Sequence, residues 1–361
     1  MKITEIWTEQ SNLRNQKVVE ADLSALKEGE VLVSIDRFSL TANNVSYATA
    51  GHSIGYWNFY PADDGWGKVP VWGYGDVVES RCDGVDVGER FYGFLPMASH
   101  AVLRPGSIKP GSFYDVSPYR RDLAAVYNQY QRTAMESDLL KNIENERCLL
   151  FPLFITSYLL SDYLTDNGFF DSEQIVIGSV SSKTGFGMAA FLKDTDYTGK
   201  IVGLTSDGNV GFVEGLNVCD QVVTYDNVPG LDPKLRTVFV DMSGDGPLAQ
   251  TLHELYGDNM VQSIAVGATH WDAGRASSEM PGAKPEFFFA PAHIAKRNSE
   301  LGPGVLLNQA NSACAALATR ALETVVIETH RAVDDVMQIW RDMLDNKVSP
   351  NRGVIVSLPP E

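Results

Sequence analysis

Apolar residues come in short alternating runs over the first hundred positions, and the period then changes. Val31-Leu32-Val33-Ser34-Ile35 follows the turn Glu28-Gly29-Glu30, and Asp76–Glu79 and Glu89–Phe94 flank the turn region Gly84–Gly88. Ala98–Leu103 reads as one more strand. Closely spaced strands joined by glycine turns predict a small barrel. Residues 52–70 concentrate Gly, Trp, Tyr and Asp. That is too aromatic for a disordered linker, so an ordered surface loop is expected, either lining a pocket or forming a core of its own. Residues 120–146 hold neither Gly nor Pro and space Ala125, Tyr127, Tyr130, Met135, Leu139 and Leu140 among charged residues, which predicts a helix.

From Phe151 the texture alternates between strand and helix. A helix over Ile155–Leu164 ends near Asn167-Gly168, and Gln174–Ile177 is a continuous apolar strand. A Gly- and Ser-rich turn then leads into a helix over Gly187–Lys193. Strands at Ile201–Leu204, Gln221–Tyr225, Thr237–Val240 and Ser263–Val266 follow, with a helix near Gly211–Leu216. This spacing predicts a parallel sheet covered on both faces, doubly wound. Phe287-Phe288-Phe289, within Pro285–Pro291, suits an edge strand. Arg331–Asp345 is amphipathic, and Gly353–Leu358 closes the chain as a strand.

The 361 residues suit two domains. Twenty-nine Lys and Arg against 46 Asp and Glu give a net charge of -17. Such a chain repels phosphate backbones and anionic bilayers, so neither nucleic acid nor membrane surface is an expected partner. Cys82, Cys148, Cys219 and Cys314 lack CxxC spacing and read as reduced thiols. Met1–Gln10 holds Lys2, Glu5 and Glu9 and no apolar run, and the most apolar stretch, Leu149–Leu160, is too short to span a bilayer and is interrupted by Pro152 and Ser157. A soluble cytoplasmic protein is expected. The six histidines show no metal-ligand spacing, so no metal is expected.

The densest chemical signal is Gly178-Ser179-Val180-Ser181-Ser182-Lys183-Thr184-Gly185-Phe186-Gly187. A Gly/Ser turn between strand and helix presents backbone N–H groups at the positive helix end, which is how phosphates are held. A P-loop would need glycines at Ile177 and Ser182, and a hydrolase elbow around Ser181 would need them at Ser179 and Lys183. A dinucleotide site also wants Gly-x-Gly-x-x-Gly, but Gly178, Gly185 and Gly187 keep the tight turn and close helix packing. A Gly/Ser turn without ligand stays open beside it. Ser181, Ser182, Lys183, Thr184, Gly185 and Phe186 are therefore the cofactor candidates. The next strand ends Leu204-Thr205-Ser206, with Asp207 displaced. Thr205 and Ser206 leave room for a ribose 2′-phosphate, and Lys183 supplies charge, which favours NADP(H) over NAD(H).

Taken in order, the barrel-like first part, the glycine turn, Ile201–Ser206, Phe212–Leu216 and Val222–Tyr225 resemble the medium-chain dehydrogenase/reductase superfamily, in its zinc-independent quinone oxidoreductase and enoyl reductase branch. The resemblance implies a GroES-like β-barrel domain over 1–150, completed by 325–361, and a Rossmann domain over 151–324. It adds Asn209, standing where the branch often has lysine, Tyr225 on the adenosine, and Gly267 and Ala268 after the fifth strand as cofactor contacts. It also implies a homodimer through edge strands. Zinc members carry Gly-His-Glu where this chain has Gly73-Tyr74-Gly75. Hydride transfer without zinc needs positioning and a donor to the developing oxyanion. Asn43, Asn44 and Tyr47, in the segment that faces the nicotinamide in the family, and Tyr74, at the lost ligand position, are the catalytic candidates, each equally readable as turn or packing residue. The expected activity is NADP(H)-dependent reduction of an apolar carbonyl, enone or quinone. Non-redox work such as carbon–carbon bond cleavage on the same fold, or a non-catalytic nucleotide sensor, is the rival.

Overall fold

The computed structural model describes residues 2–267 and 280–358. The chain forms two compact units, Met1–Leu149 with Val326–Val348 and Arg352–Glu361, and Leu150–Val325 with Ser349–Asn351.

The first unit is built from β-strands. A nine-stranded sheet runs in the order Val326–His330, Arg352–Val356, Val31–Leu40, Pro70–Ser80, Arg90–Pro96, Gln129–Arg132, Ser112–Asp115, Pro105–Lys109, with His100–Leu103 also on Val31–Leu40. Asn12–Asp22, Lys2–Glu9 and Trp66–Gly67 form a smaller sheet. The helix expected over 120–146 is not there. Two 3-10 turns (Pro118–Arg120 and Ala125–Asn128), the strand Gln129–Arg132, a third turn and a five-residue helix occupy it. Tyr130 explains the difference. Its fully buried ring stacks on Phe113 at 5.2 Å and lies over Gly93, where any Cβ would come within 2.3 Å of it. Ladder pairing and burial override helical spacing here.

The aromatic loop turns inward. Tyr56, Trp57, Phe59 and Tyr60 are all buried. Gly51 and Gly67 leave the room Trp57 needs, since a Cβ on either would lie within 2.0 and 2.3 Å of the indole. Arg120, fully buried, ties the loop down: Nε donates to the Phe59 carbonyl at 3.2 Å and faces Asp115, while Nη1 donates to the Tyr130 hydroxyl at 3.0 Å.

The second unit is a six-stranded, all-parallel sheet in the order Gln221–Thr224, Lys200–Thr205, Gln174–Gly178, Thr237–Asp241, Met260–Ala265, Pro285–Phe287. In chain order this is 3-2-1-4-5-6, the doubly wound arrangement whose winding reverses between Gln174–Gly178 and Thr237–Asp241. Ile175-Val176-Ile177 is apolar without alternation because both faces are covered. Ile175 and Ile177 enter one core with Val180 and Val213, and Val176 enters the other with Leu204 and Leu252. Pro285–Phe287 is the edge strand, with Phe287 exposed. The apolar stretch at 149–160 belongs to a longer helix, Glu144–Asp166, which passes through Pro152 and, by length and composition, is the one candidate membrane span among the described residues; most of it is buried.

Candidate functional site

In open parallel sheets, ligands gather at the carboxyl ends of the strands where the winding reverses. Here that place is the turn 179–182 together with Asp241. Ser179 takes a left-handed conformation (φ 54°), unusual outside glycine, and sends the chain sharply back. The Val180 N–H donates to the Leu204 carbonyl at 2.9 Å, hanging the turn on the neighbouring strand. Ser182 caps the helix Lys183–Lys193, its hydroxyl accepting from the Gly185 N–H at 3.1 Å. Gly185 lets the helix close on the turn, because a Cβ would lie 2.6 Å from the Ser179 carbonyl oxygen and 2.7 Å from the Val180 Cα. Gly187 does the same for the helix behind it, with Phe154 2.7 Å from its Cβ position. These are the roles glycine plays in a dinucleotide turn, at other spacings.

Around the turn lie most of the residues expected from sequence. Ser181 is buried; Asn209 Nδ2 reaches the Ser206 Oγ at 3.0 Å and lies 3.5 Å from the Ser181 Oγ, bridging the turn to the end of the second strand. Thr205 is fully buried and its Oγ1 has no hydrogen-bond partner among the described residues. It shares a sheet face with Gly203, whose Cβ position lies 2.6 Å from Val180, so the unsatisfied hydroxyl sits on the face that carries the turn. An orphaned buried hydroxyl is rare and suits a polar ligand. Lys183 Nζ donates to the Pro350 carbonyl at 3.0 Å, and burial pushes its pKa down to about 8. Thr184 is held through its carbonyl by Ser157 Oγ at 2.8 Å. Phe186 points inward against Phe154 and Phe212, so ligand contact there would be through backbone. Burial raises Tyr225 to about 12, while Ser179 beside its hydroxyl pulls the other way. Gly267 closes on the fourth strand, a Cβ there lying 2.7 Å from the Met242 carbonyl oxygen. Ala268 lies outside the described residues.

Sequence reasoning missed Asp241 as a site residue. It ends the fourth strand and is buried, and desolvation raises its pKa. Oδ1 accepts from the Ser243 N–H and hydroxyl at 2.8 and 2.5 Å and from the Gly244 N–H at 3.1 Å. The signal was Asp-x-Ser-Gly at a strand end, the pattern of an Asx turn.

The oxygen-donor candidates lie in the first unit and differ sharply. Asn44 is the reciprocal partner in the capping box of the helix Ala42–Thr49: Oδ1 accepts from the Thr41 N–H at 2.8 Å and Nδ2 donates to the Pro70 carbonyl at 3.0 Å. Both its amide oxygen and its amide nitrogen are engaged in holding the helix start. Tyr74 is fully buried, its hydroxyl accepting from Arg147 Nη1 at 3.2 Å and its ring beneath Arg90 at 5.1 Å. Tyr47 is buried in an aromatic nest, 4.5 Å from Tyr56 and 5.4 Å from Phe94 between ring centres, and accepts from Trp72 Nε1 at 3.1 Å. Burial pushes the Tyr47 phenol pKa well above its ordinary value, so it stays protonated. Among the described residues no cluster of three or more His, Cys, Asp or Glu could hold a metal.

The family model described as "Protein of unknown function (DUF2855)" matches residues 38–349. No curated protein sequence matches the chain. Solved structures do. CurA from Vibrio vulnificus in complex with NADPH is 11% identical with a TM-score of 0.61, over 99% of this chain and 100% of that one. The yhdH oxidoreductase from Salmonella enterica in complex with NADP is 13% identical with a TM-score of 0.54 over 99% and 100%, and the quinone oxidoreductase from Coxiella burnetii is 11% identical with a TM-score of 0.54 over the same shares. The fold is that of the medium-chain dehydrogenase/reductases, a GroES-like domain and a Rossmann domain.

Proposed function

The chain belongs to the DUF2855 family, and we propose that it is an NADP(H)-dependent oxidoreductase acting on an apolar carbonyl, enone or quinone. The observation that carries this reading is the strand–turn–helix at the reversal of the parallel sheet, with the Thr205 hydroxyl, unpartnered among the described residues, beside it. NADPH and NADP in structures of the same fold support it. The turn residues Ser181–Gly185 would hold the pyrophosphate through backbone N–H groups and the helix end. Thr205, Ser206 and Asn209 would meet the ribose and its 2′-phosphate, Lys183 would supply charge, and Tyr225 and Gly267 would border the adenosine and nicotinamide halves. When bound, the nicotinamide supplies or accepts a hydride.

What the chain itself must do is hold the substrate oxygen as charge develops on it. Of Asn44, Tyr47 and Tyr74, Tyr47 serves best. Asn44 is occupied as a cap, and Tyr74 is sealed under two arginines. Tyr47 keeps its proton and lies among neutral aromatic side chains, which suits an uncharged substrate.

Titration of the purified protein with NADPH and NADH, read by nucleotide fluorescence, tests the cofactor. Tight NADPH and weak NADH binding is expected, with the preference reversed in Ser206→Asp. Binding of neither nucleotide would sink the proposal, and unchanged selectivity in Ser206→Asp would remove the 2′-phosphate assignment.

A further inference from the structure

We infer that Trp72 is a positioning residue: its indole N–H fixes the direction in which the Tyr47 hydroxyl donates, making the Trp72–Tyr47 pair a preset clamp for one neutral carbonyl oxygen. The inference deepens the proposal above and rests on its assignment of Tyr47. It starts from a chemical asymmetry. An indole nitrogen can only donate, so the 3.1 Å contact from Trp72 Nε1 commits a lone pair of the Tyr47 oxygen. The phenol proton must then leave along another direction.

Among the described residues no side chain accepts that proton. The hydroxyls of Tyr56 and Tyr127, whose rings pack on Tyr47, pair with each other at 2.9 Å. The Asn43 side chain also bonds the Tyr47 hydroxyl and, like Trp72, draws its pKa down, as a donor to the oxygen does, so no acceptor for the proton is present among the described residues. A buried donor without an acceptor is costly, by about 1–3 kcal/mol. Such a group persists where a ligand completes it. The proton cannot be lost instead, because burial keeps the phenol neutral.

The oxygen is also fixed in place. The Tyr47 ring is wedged between Tyr56 and Phe94, and the Trp72 ring stacks on Tyr92 at 5.5 Å and against Phe94 at 5.1 Å. With both rings held, the one freedom left is rotation of the O–H bond, and the indole governs it. Trp72 is only half-buried, so the pair is not sealed as Tyr74 is. The ligand such a pair recognises is an uncharged, flat molecule with a carbonyl oxygen, since every ring facing Tyr47 is neutral.

The test uses the full chain and cyclohex-2-enone labelled with carbon-13 at its carbonyl, read by its bound chemical shift. Hydrogen bonding to the oxygen moves that signal downfield. The wild type should show the shift, Tyr47→Phe should lose all of it, and Trp72→Phe should lose at least half. Enone binding in Trp72→Phe should weaken about tenfold, the effect of one misdirected hydrogen bond. Benzothienylalanine at position 72 keeps the ring shape without the N–H and should behave as Trp72→Phe does, which separates donation from packing. Ser53→Ala, at an exposed position of the same unit, should leave the shift intact. A full shift in both position-72 variants would overturn the inference, as would no shift in the wild type. Loss in Asn43→Ala alone would transfer the role to Asn43. Failure of the nucleotide titration with the shifts behaving as expected would remove the cofactor reading and leave the clamp standing.

Discussion

At the scale of single residues, Lys183 shows how position changes chemistry. Its sequence neighbours suggested a cation for a phosphate, and the structure adds that the amine is buried, held on the Pro350 carbonyl, and shifted from 10.5 to about 8. A lysine whose pKa falls on folding binds fewer protons in the native state than in the unfolded one between those two values. The contribution of Lys183 to stability therefore rises with pH across about pH 8 to 10.5 and is lower below it. Lys183→Met should lack that contribution, so the melting temperature of the wild type should gain on that of the variant from pH 8 to 10.5, measured by thermal unfolding of both at a series of pH values. A difference between the two melting temperatures that stays constant across that range would contradict the assignment. None of this was legible in sequence, because Pro350 lies far along the chain. The capping role of Asn44 was hidden differently: Thr41 and Asn44 stand at capping-box spacing, but the residue at the third position is asparagine, where glutamate or glutamine is the familiar signal.

At the scale of elements, legibility followed burial on both faces. The parallel strands could be read because continuous apolar runs such as Ile175–Ile177 admit few alternatives. The segment 120–146 could not, because Tyr130 and Asn128 are placed by contacts with Gly93 and Arg120 that no local pattern encodes. The run Gly168–Asp171, four successive residues with positive φ, was equally invisible: three of them carry side chains, and Phe169 and Phe170 pack on the core there. The helix Lys183–Lys193 gives an element-level prediction in which two effects oppose. Gly187→Ala gains about 1 kcal/mol of helix propensity. It also drives a Cβ to 2.7 Å from Phe154 and 2.8 Å from Ser157 Oγ, and both are buried. Overpacking of that kind costs about 1–3 kcal/mol. The net change should be destabilising by about 1 kcal/mol or more, read by denaturant unfolding, and stabilisation would mean that the two helices are not held in contact.

At the scale of the whole molecule, the chain leaves one unit, builds the second, and returns to finish the first. The order of elements along the chain was readable for this reason, since strand-rich and alternating textures occupy separate blocks, with a short strand-bearing tail. The consequences of the return were not. Arg352–Val356 lies beside Val31–Leu40 within the nine-stranded sheet, and its Val354, Ile355 and Val356 are fully buried. Trp340, from the same tail, is fully buried and donates Nε1–H to the Leu13 carbonyl at 2.7 Å. A fragment of residues 1–149 therefore lacks an internal strand and a central core residue, and Val31–Leu40 would present an open ladder edge in their place. The second unit is almost uninterrupted, missing only Ser349–Asn351 when cut as 150–325. Expressed alone, 150–325 should unfold cooperatively and retain nucleotide binding, weakened where Pro350 no longer anchors Lys183. Residues 1–149 should aggregate or unfold without a cooperative transition, and recover when 326–361 are supplied as a second chain. Circular dichroism melting and nucleotide titration of the fragments check both outcomes. A cooperative 1–149 would mean that the tail strand is an addition to the barrel and not part of its core.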